Sequence, residues 1–103
     1  MDRVCLVMLA PTFRHLTSHI DTWFQQVVSP EVRAILTHQR QKRLVAPTGM
    51  HVYFYPFTAK DRHNVLLRYA FMWKVASRSK RPLFLKMDTD TMIFPTALAR
   101  LVV

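Results

Sequence analysis

The sequence is poor in cysteine and in acidic residues, and both shortages restrict its chemistry. Cys5 is the only cysteine among 103 residues, so the chain has no intrachain disulfide and no cysteine-rich zinc site. Six Asp and Glu stand against 15 Lys and Arg, giving a formal charge of +9 that attracts anions such as nucleotides and phosphates. Any carboxylate site must therefore draw on very few residues.

The chain also lacks a long apolar run. The segment from Val4 to Ala10 is far shorter than the ~20 residues of a transmembrane helix, and no small-residue cleavage site follows it as in a signal peptide. Hydrophobic residues nevertheless make up 50% of the chain and charged residues 20%, which predicts a packed fold rather than disorder. From the length, we expect residues 1–103 to form one domain or part of one.

Short apolar segments separated by turn residues predict the strands of a sheet. Nearly continuous hydrophobicity is typical of strands buried on both faces, as in parallel sheets. Two segments have this character, Arg3 to Ala10 and Pro82 to Met87. Glu31 to Thr37 is predicted as a further strand, with a helical turn as the alternative, and Met50 to Phe57 as a fourth, because it is rich in strand-forming residues.

Helical periodicity appears between these segments. One predicted amphipathic helix covers residues 12–28, with its apolar face formed by Leu16, Ile20, Trp23 and Phe24. A second begins at Asp61, where Thr58 and Asp61 fit a capping box, and ends at about Arg78. Its predicted buried stripe consists of Leu66, Tyr69, Ala70 and Trp73. Pro95 is placed as in the first turn of a last helix.

Strands alternating with helices predict an α/β fold with a mostly parallel sheet flanked by helices, because parallel neighbours need crossover connections. Ligands of such sheets bind outside the carboxyl ends of the strands. The last predicted strand delivers Asp88-Thr89-Asp90 at this edge.

Asp88 and Asp90 are two of the six acidic residues. In an extended backbone, residues i and i+2 project to the same side, so the two carboxylates can converge on one ion. Mg²⁺ and Mn²⁺ prefer oxygen ligands and often bridge carboxylates to substrate phosphates. The simpler alternative is a turn in which Asp88 caps backbone N–H groups and Asp90 is solvated.

The segment from Phe84 to Pro95, Phe-Leu-Lys-Met-Asp-Thr-Asp-Thr-Met-Ile-Phe-Pro, resembles the Asp-x-Asp segment of the fringe-like and β-1,3-galactosyltransferase group. Weaker similarity to this family covers Ile20–Trp23, Leu67–Ala70 and Ala97–Leu101. The resemblance therefore touches most of the chain, although only Lys86 to Pro95 is specific.

This resemblance implies a Rossmann-like, glycosyltransferase A-type domain that acts in the Golgi. The implied reaction is the transfer of a sugar from a UDP-sugar to a glycan or glycoprotein acceptor, with Mn²⁺ or Mg²⁺ as cofactor. Asp88, Thr89 and Asp90 would bind the nucleotide sugar; Asp90 would be the direct metal ligand, and Asp88 would face the nucleotide sugar or supply a second metal ligand. The diphosphate has three candidate partners, which are Arg68, Lys74 and Lys86.

The chain departs from the family in two ways. Thr89 occupies a middle position that is often Asp. Relatives also continue beyond the motif into an acceptor-binding half that carries the presumed catalytic base. We therefore expect residues 1–103 to be an incomplete domain, the nucleotide-sugar-binding half, with no base assigned and without the N-terminal membrane anchor of relatives. Such a piece is expected to expose apolar surface, which predicts poor solubility or self-association.

Two other functions compete with this interpretation. Asp88-Thr-Asp90-Thr91 also resembles haloacid-dehalogenase-like phosphotransferases, with Asp88 as nucleophile and Asp90 as acid/base, although that motif normally ends the first strand of its domain. A basic nucleic-acid-binding module would combine the charge with aromatic side chains around Tyr53 and Tyr55. No recognised nucleic-acid motif accompanies them, so nucleic acid is not an expected partner. His15 and His19 share one helix face, but no third ligand is evident.

Overall fold

The computed structural model describes residues 3–39, 44–89, 94 and 100. One sheet of four parallel strands has the order β3-β2-β1-β4, with β1 at Val4–Ala10, β2 at Val32–Leu36, β3 at Met50–Phe54 and β4 at Leu83–Asp88. A short helix α1, Thr17–Asp21, lies on one face, and α2, Val65–Ala76, lies on the other. The predicted α/β fold is confirmed, while the helix predicted after Pro95 falls outside the described residues.

Strand β1 is the centre of the sheet. It pairs with β2 on one side and with β4 on the other, where Leu9 lies opposite Asp88. Its alternate residues fill two separate cores, because successive side chains of a strand point to opposite faces. Leu6 packs in the core that contains Trp23, and Val7 packs in the core that contains Met72. At ~25 cal/mol per Å² of apolar area, burial on both faces is the main stabilising contribution.

The single helix predicted over residues 12–28 is wrong. The segment instead forms a 3₁₀ turn at Phe13–Leu16, then α1, then a second 3₁₀ turn at Phe24–Gln26. The Thr22 hydroxyl donates to the carbonyl of Ser18 at 2.6 Å, and its backbone leaves the helical region with φ −113° and ψ −99°. Such side-chain-to-backbone bonds compete with helix propagation.

Helix α2 begins later than the sequence predicts. Thr58 and Asp61 do interact, with the hydroxyl donating to the carboxylate at 3.3 Å, but they enclose only a 3₁₀ turn at Ala59–Asp61. The N-cap of α2 is Asn64, whose side-chain oxygen accepts from the backbone N–H of Leu67 at 3.2 Å. A second capping side chain, six residues beyond Thr58, therefore sets the start of the helix.

The stripe on α2 that was predicted to be buried faces outward. Met72, Val75 and Ala76 contact the sheet, whereas Leu66, Tyr69 and Trp73 are 81%, 52% and 65% exposed. Strand β4, also predicted to be buried, is half exposed, at 44% for Leu83, 46% for Phe84 and 40% for Leu85. Both differences have one cause, because β4 is the last strand on its side of the sheet among the strands that the structure describes.

An ionic cluster joins the amino ends of three strands. Glu31, just before β2, accepts from the Nε of Arg33 at 2.8 Å and from the Nε of Arg81 at 2.9 Å. Arg81, just before β4, also donates to the carbonyls of Val4 at 2.9 Å and of Ser29 at 2.6 Å. Burial alone raises the pKa of Glu31, but hydrogen bonds from Ser79 and Arg33 and the charges of Arg33 and Arg81 bring it below its ordinary value.

The turn before β3 requires glycine. Gly49 has a φ of +92°, and a Cβ there would lie 2.5 Å from the carbonyl oxygen of Pro30. Its own carbonyl accepts the N–H of Val32 at 2.8 Å, which joins the turn to the start of β2. Only a residue without a side chain adopts this backbone and this contact without strain.

Replacement of Glu31 by Gln should lower the free energy of unfolding at pH 7 by about 2 kcal/mol, because two partly buried arginines lose a charged acceptor. A carboxylate whose folded-state pKa is lowered stabilises the fold above its unfolded pKa, and this contribution is lost as the pH falls through the folded value. The difference between Glu31→Gln and the parent should therefore shrink below the ordinary glutamate pKa of 4.5.

Urea titrations of both proteins at several pH values measure this difference. Asp21→Asn is the matched control, since Asp21 is exposed and its neutralisation should change stability little. A pH-independent difference for Glu31→Gln would show that the ionic cluster does not act through its charge.

Candidate functional site

A cleft lies where β1 and β4 end beneath the first half of α2. Its volume is about 140 Å³. The floor is apolar and includes Leu9 and Met72, whereas the polar side chains are those of Arg68, Tyr69, Lys86 and Asp88. The parallel register produces this arrangement, because it sets the end of β4 beside the end of β1. Asp88 thus occupies the carboxyl edge of the sheet, where α/β proteins bind ligands.

The carboxylate of Asp88 points to the α2 side of the sheet and is 65% exposed. Its Oδ1 lies 3.8 Å from the Nζ of Lys86, which is an ion-pair distance but too long for a hydrogen bond. The two charges share a face because they are two residues apart in one strand. An exposed pair of this kind is weak, so the carboxylate is accessible to a ligand.

Lys86 is also positioned by an aromatic side chain. Its Nζ donates to the hydroxyl of Tyr69 at 3.4 Å and lies 5.2 Å from the centre of the same ring. A cation over an aromatic face is attracted by the negative face of the ring. Tyr69 was predicted to be part of a buried helix stripe, and its local sequence gave no sign of this contact across the cleft.

Arg68 contributes a second cation with unused hydrogen-bonding capacity. Its Nε is buried, and no residue in the described part of the chain accepts a hydrogen bond from it. Buried donors are usually paired, so this Nε is an exception, as is the Nε of Arg62. Of the three cations predicted for a diphosphate, Arg68 and Lys86 line this cleft, whereas Lys74 is exposed and does not.

A buried histidine holds the backbone just beyond β4. Its Nδ1 accepts from the indole Nε1 of Trp23 at 2.8 Å, and the other ring nitrogen of His19 lies 2.7 Å from the carbonyl oxygen of Thr89. Because Nδ1 accepts, the proton sits on Nε2, which donates to Thr89. Sequence reasoning noted His19 only with His15 and missed this role, although the His19–Trp23 spacing of four residues was visible.

The hydrogen bond from His19 holds the backbone of Thr89, the residue that joins Asp88 to Asp90. Asp90 itself lies outside the described residues, so the predicted convergence of the two carboxylates stays a prediction. Within residues 3–39 and 44–89, no group of three or more His, Cys, Asp and Glu side chains is arranged to hold a metal ion. Asp88 is therefore the one predicted carboxylate whose position the described structure gives.

Two other predicted features have different surroundings. His15 is exposed, and its Nδ1 lies 2.9 Å from the Thr12 hydroxyl, so the two histidines of the helical pair bond different partners. Tyr55 is fully buried, and its ring packs against those of Phe57 and Phe71. The aromatic residues that a nucleic-acid-binding strand would need for stacking are thus partly inside the core.

Comparisons of the chain with protein-family models, curated proteins and solved structures returned no match. The helices of the described residues are all too short or too polar to cross a bilayer.

Replacement of His19 by Phe should lower the free energy of unfolding by about 2 kcal/mol, because the Trp23 indole and the Thr89 carbonyl lose their partners while the ring volume is kept. The Trp23 indole proton should also exchange faster with solvent, which NMR measures. His15→Phe is the matched control and should change neither quantity much, because His15 is exposed. Equal effects of the two substitutions would contradict a stabilising role for the hydrogen bonds of His19 with Trp23 and Thr89.

Proposed function

We propose that the cleft at the carboxyl edge binds a nucleotide sugar together with a divalent cation, and that the chain is the nucleotide-sugar-binding half of a glycosyltransferase. The observation that carries this proposal is the meeting of Asp88, Arg68 and Lys86 in one cleft. The resemblance of Phe84–Pro95 to the Asp-x-Asp segment of fringe-like and β-1,3-galactosyltransferases gives the site its chemistry.

The cations suit the diphosphate of a nucleotide sugar. Lys86 and Arg68 line the same small cleft, and both side chains carry N–H donors of the kind that phosphate oxygens accept. Guanidinium groups bind phosphate through directed hydrogen bonds, whereas an ammonium acts as a point charge. The net charge of +9 adds a long-range attraction for such a ligand.

The carboxylate suits a hard divalent cation. Asp88 supplies exposed oxygen ligands, and a Mg²⁺ or Mn²⁺ ion in a nucleotide site commonly takes one or two carboxylates, with phosphates and water completing its shell. Asp90 is the proposed second carboxylate and, by the family pattern, the direct ligand. Such an ion, when bound, neutralises negative charge on the departing nucleoside diphosphate.

The proposal extends to the reaction class of the family. A sugar would pass from UDP to a hydroxyl of a glycan or glycoprotein in the Golgi, with a general base removing the hydroxyl proton. Residues of this chain would bind the donor through Arg68, Lys86 and Asp88. His19 would hold the backbone of Thr89 in place beside them. The base belongs to the acceptor-binding half of the family and has no assigned residue here.

The position of the motif favours this function over a phosphotransferase. Haloacid-dehalogenase-like enzymes carry their aspartates at the end of the first strand, whereas Asp88 ends the fourth strand along the chain, at the edge of the sheet. The first strand, β1, ends in Ala10 and is followed by Pro11, which supply no nucleophile.

Calorimetric titration with uridine diphosphate tests the proposal. Binding should require Mn²⁺ and should weaken at least tenfold in Asp88→Asn and in Asp90→Ala, because each loses a carboxylate of the metal site; tenfold corresponds to about 1.4 kcal/mol. Lys86→Gln should weaken binding with Mn²⁺ present, because a cation beside the diphosphate is removed.

Asp21→Asn removes an exposed carboxylate of α1 and serves as the charge-matched control. Its affinity should equal that of the parent protein. Absence of binding by the folded parent protein, or an affinity that none of the cleft substitutions changes, would refute the proposed site.

A further inference from the structure

We propose that the chain forms a two-fold symmetric dimer in which β4 pairs antiparallel with β4 of a second copy. The surface involved, called here the β4 flank, consists of Leu83, Phe84 and Leu85 of β4 and Tyr69 and Trp73 of α2. This inference concerns assembly and does not depend on the proposed function.

The β4 flank is an exposed apolar edge with side chains on both faces of the sheet: Phe84 lies on the α2 face with Trp73 and Tyr69, whereas Leu83 and Leu85 lie on the opposite face. The Trp73 ring meets the Phe84 ring edge-on at 5.4 Å, and Tyr69 contacts Lys86 of the same strand, so the exposed stripe of α2 lies directly beside β4. All five residues of the flank are exposed large hydrophobics. Exposed apolar surface of this kind usually marks an interface.

The backbone of β4 is equally suited to pairing. Among the described strands, β4 is bonded only to β1, and the N–H of Leu83 donates to the carbonyl of Arg3 at 3.2 Å. Since backbone groups alternate in direction along a strand, Leu83 and Leu85 point theirs toward β1, whereas Phe84 and Lys86 point theirs outward. An edge with outward N–H and C=O groups is a template for another strand.

Charge favours a second copy in the antiparallel orientation. The turn that leads into β4 carries Arg78 and Lys80, both exposed, while β4 ends at Asp88. Antiparallel pairing sets the acidic end of each strand near the basic turn of the other, and symmetry repeats the contact. Parallel pairing would place like charges side by side.

The position of Lys86 favours a register with Leu85 on the two-fold axis. Leu85 then faces its own copy, and Phe84 faces Lys86 of the other strand, which is a favourable cation–aromatic pair. A shift by one residue would put Lys86 opposite Lys86, and like charges directly opposite each other are destabilising. Both copies of α2 then lie on one side of a continuous sheet, and Trp73 and Tyr69 of each copy flank the paired β4 strands.

The opposite edge of the sheet is less suited to pairing. Strand β3 contains none of the exposed large hydrophobic residues found within the described residues, and its Met50 is buried. A closed, isologous dimer through β4 is therefore favoured over an open chain of β3-to-β4 contacts.

Light scattering coupled to gel filtration tests the dimer, whose mass should be twice the 12.2 kDa of the chain. Leu85→Lys places two like charges on the axis and should halve the measured mass. Val45→Lys is the matched control, because Val45 is exposed and lies in the loop that precedes β3, on the other side of the sheet from β4, and it should leave the dimer intact. A monomeric parent protein, assemblies that grow steadily with concentration, or equal loss in both variants would overturn the proposal.

Oxidative cross-linking gives an independent answer should Leu85→Lys fail to fold. Facing residues of an antiparallel pair have Cβ atoms about 5 Å apart, so Leu85→Cys should form a disulfide-linked dimer under mild oxidation. Cys5 is buried, so it should not compete with the new thiol. Val45→Cys should cross-link much more slowly, and equal rates for the two cysteine variants would contradict the register.

Discussion

The structure depends on one strand, β1, that is hydrogen-bonded on both sides and buried on both faces. Its two neighbours, β2 and β4, are held in parallel register along most of its length. Because its alternate side chains fill two cores, a shift of one residue would move Leu6 and Val7 into each other's layers. The register is therefore fixed, and with it the position of Asp88 beside Leu9.

The charged groups at the two ends of the sheet differ in how closely they are paired. At the amino ends, Glu31 is satisfied by Arg33 and Arg81, so scarce negative charge is used to join strands. At the carboxyl ends, Asp88 has one exposed and distant partner, Lys86, and the Nε of Arg68 has none among the described residues. Charge that is paired stabilises the fold, whereas charge left partly unpaired in a cleft is available to a ligand.

Sequence reasoning predicted the strands well because their apolar runs and turn residues are local signals. It failed where the outcome depends on distant partners. The start of α2 was misplaced because both Thr58 and Asn64 can cap a turn, and local sequence does not decide between them. Tyr69 and Trp73 were assigned to the core because periodicity shows that a helix has an apolar face but not whether another layer covers it.

The candidate site also combines features that local sequence shows with features that depend on distant residues. Asp88 was predicted at the end of a strand because the motif follows an apolar run directly. The contact of Tyr69 with Lys86 and the bond from His19 to the Thr89 carbonyl link residues that are distant in sequence, so no local pattern shows them. Arg68 and Lys74 were equivalent in sequence, and only the cleft distinguishes them.

The central claim is that a divalent cation and a diphosphate meet beside Asp88. Paramagnetic broadening of backbone amide NMR signals tests it most directly, with Mn²⁺ added in small amounts to the protein saturated with uridine diphosphate. The account predicts selective loss of the Leu9, Tyr69 and Thr89 signals, while those of Glu31 and Gly49 at the amino edge stay sharp. Broadening centred on the amino edge, or no selective broadening at all, would contradict it.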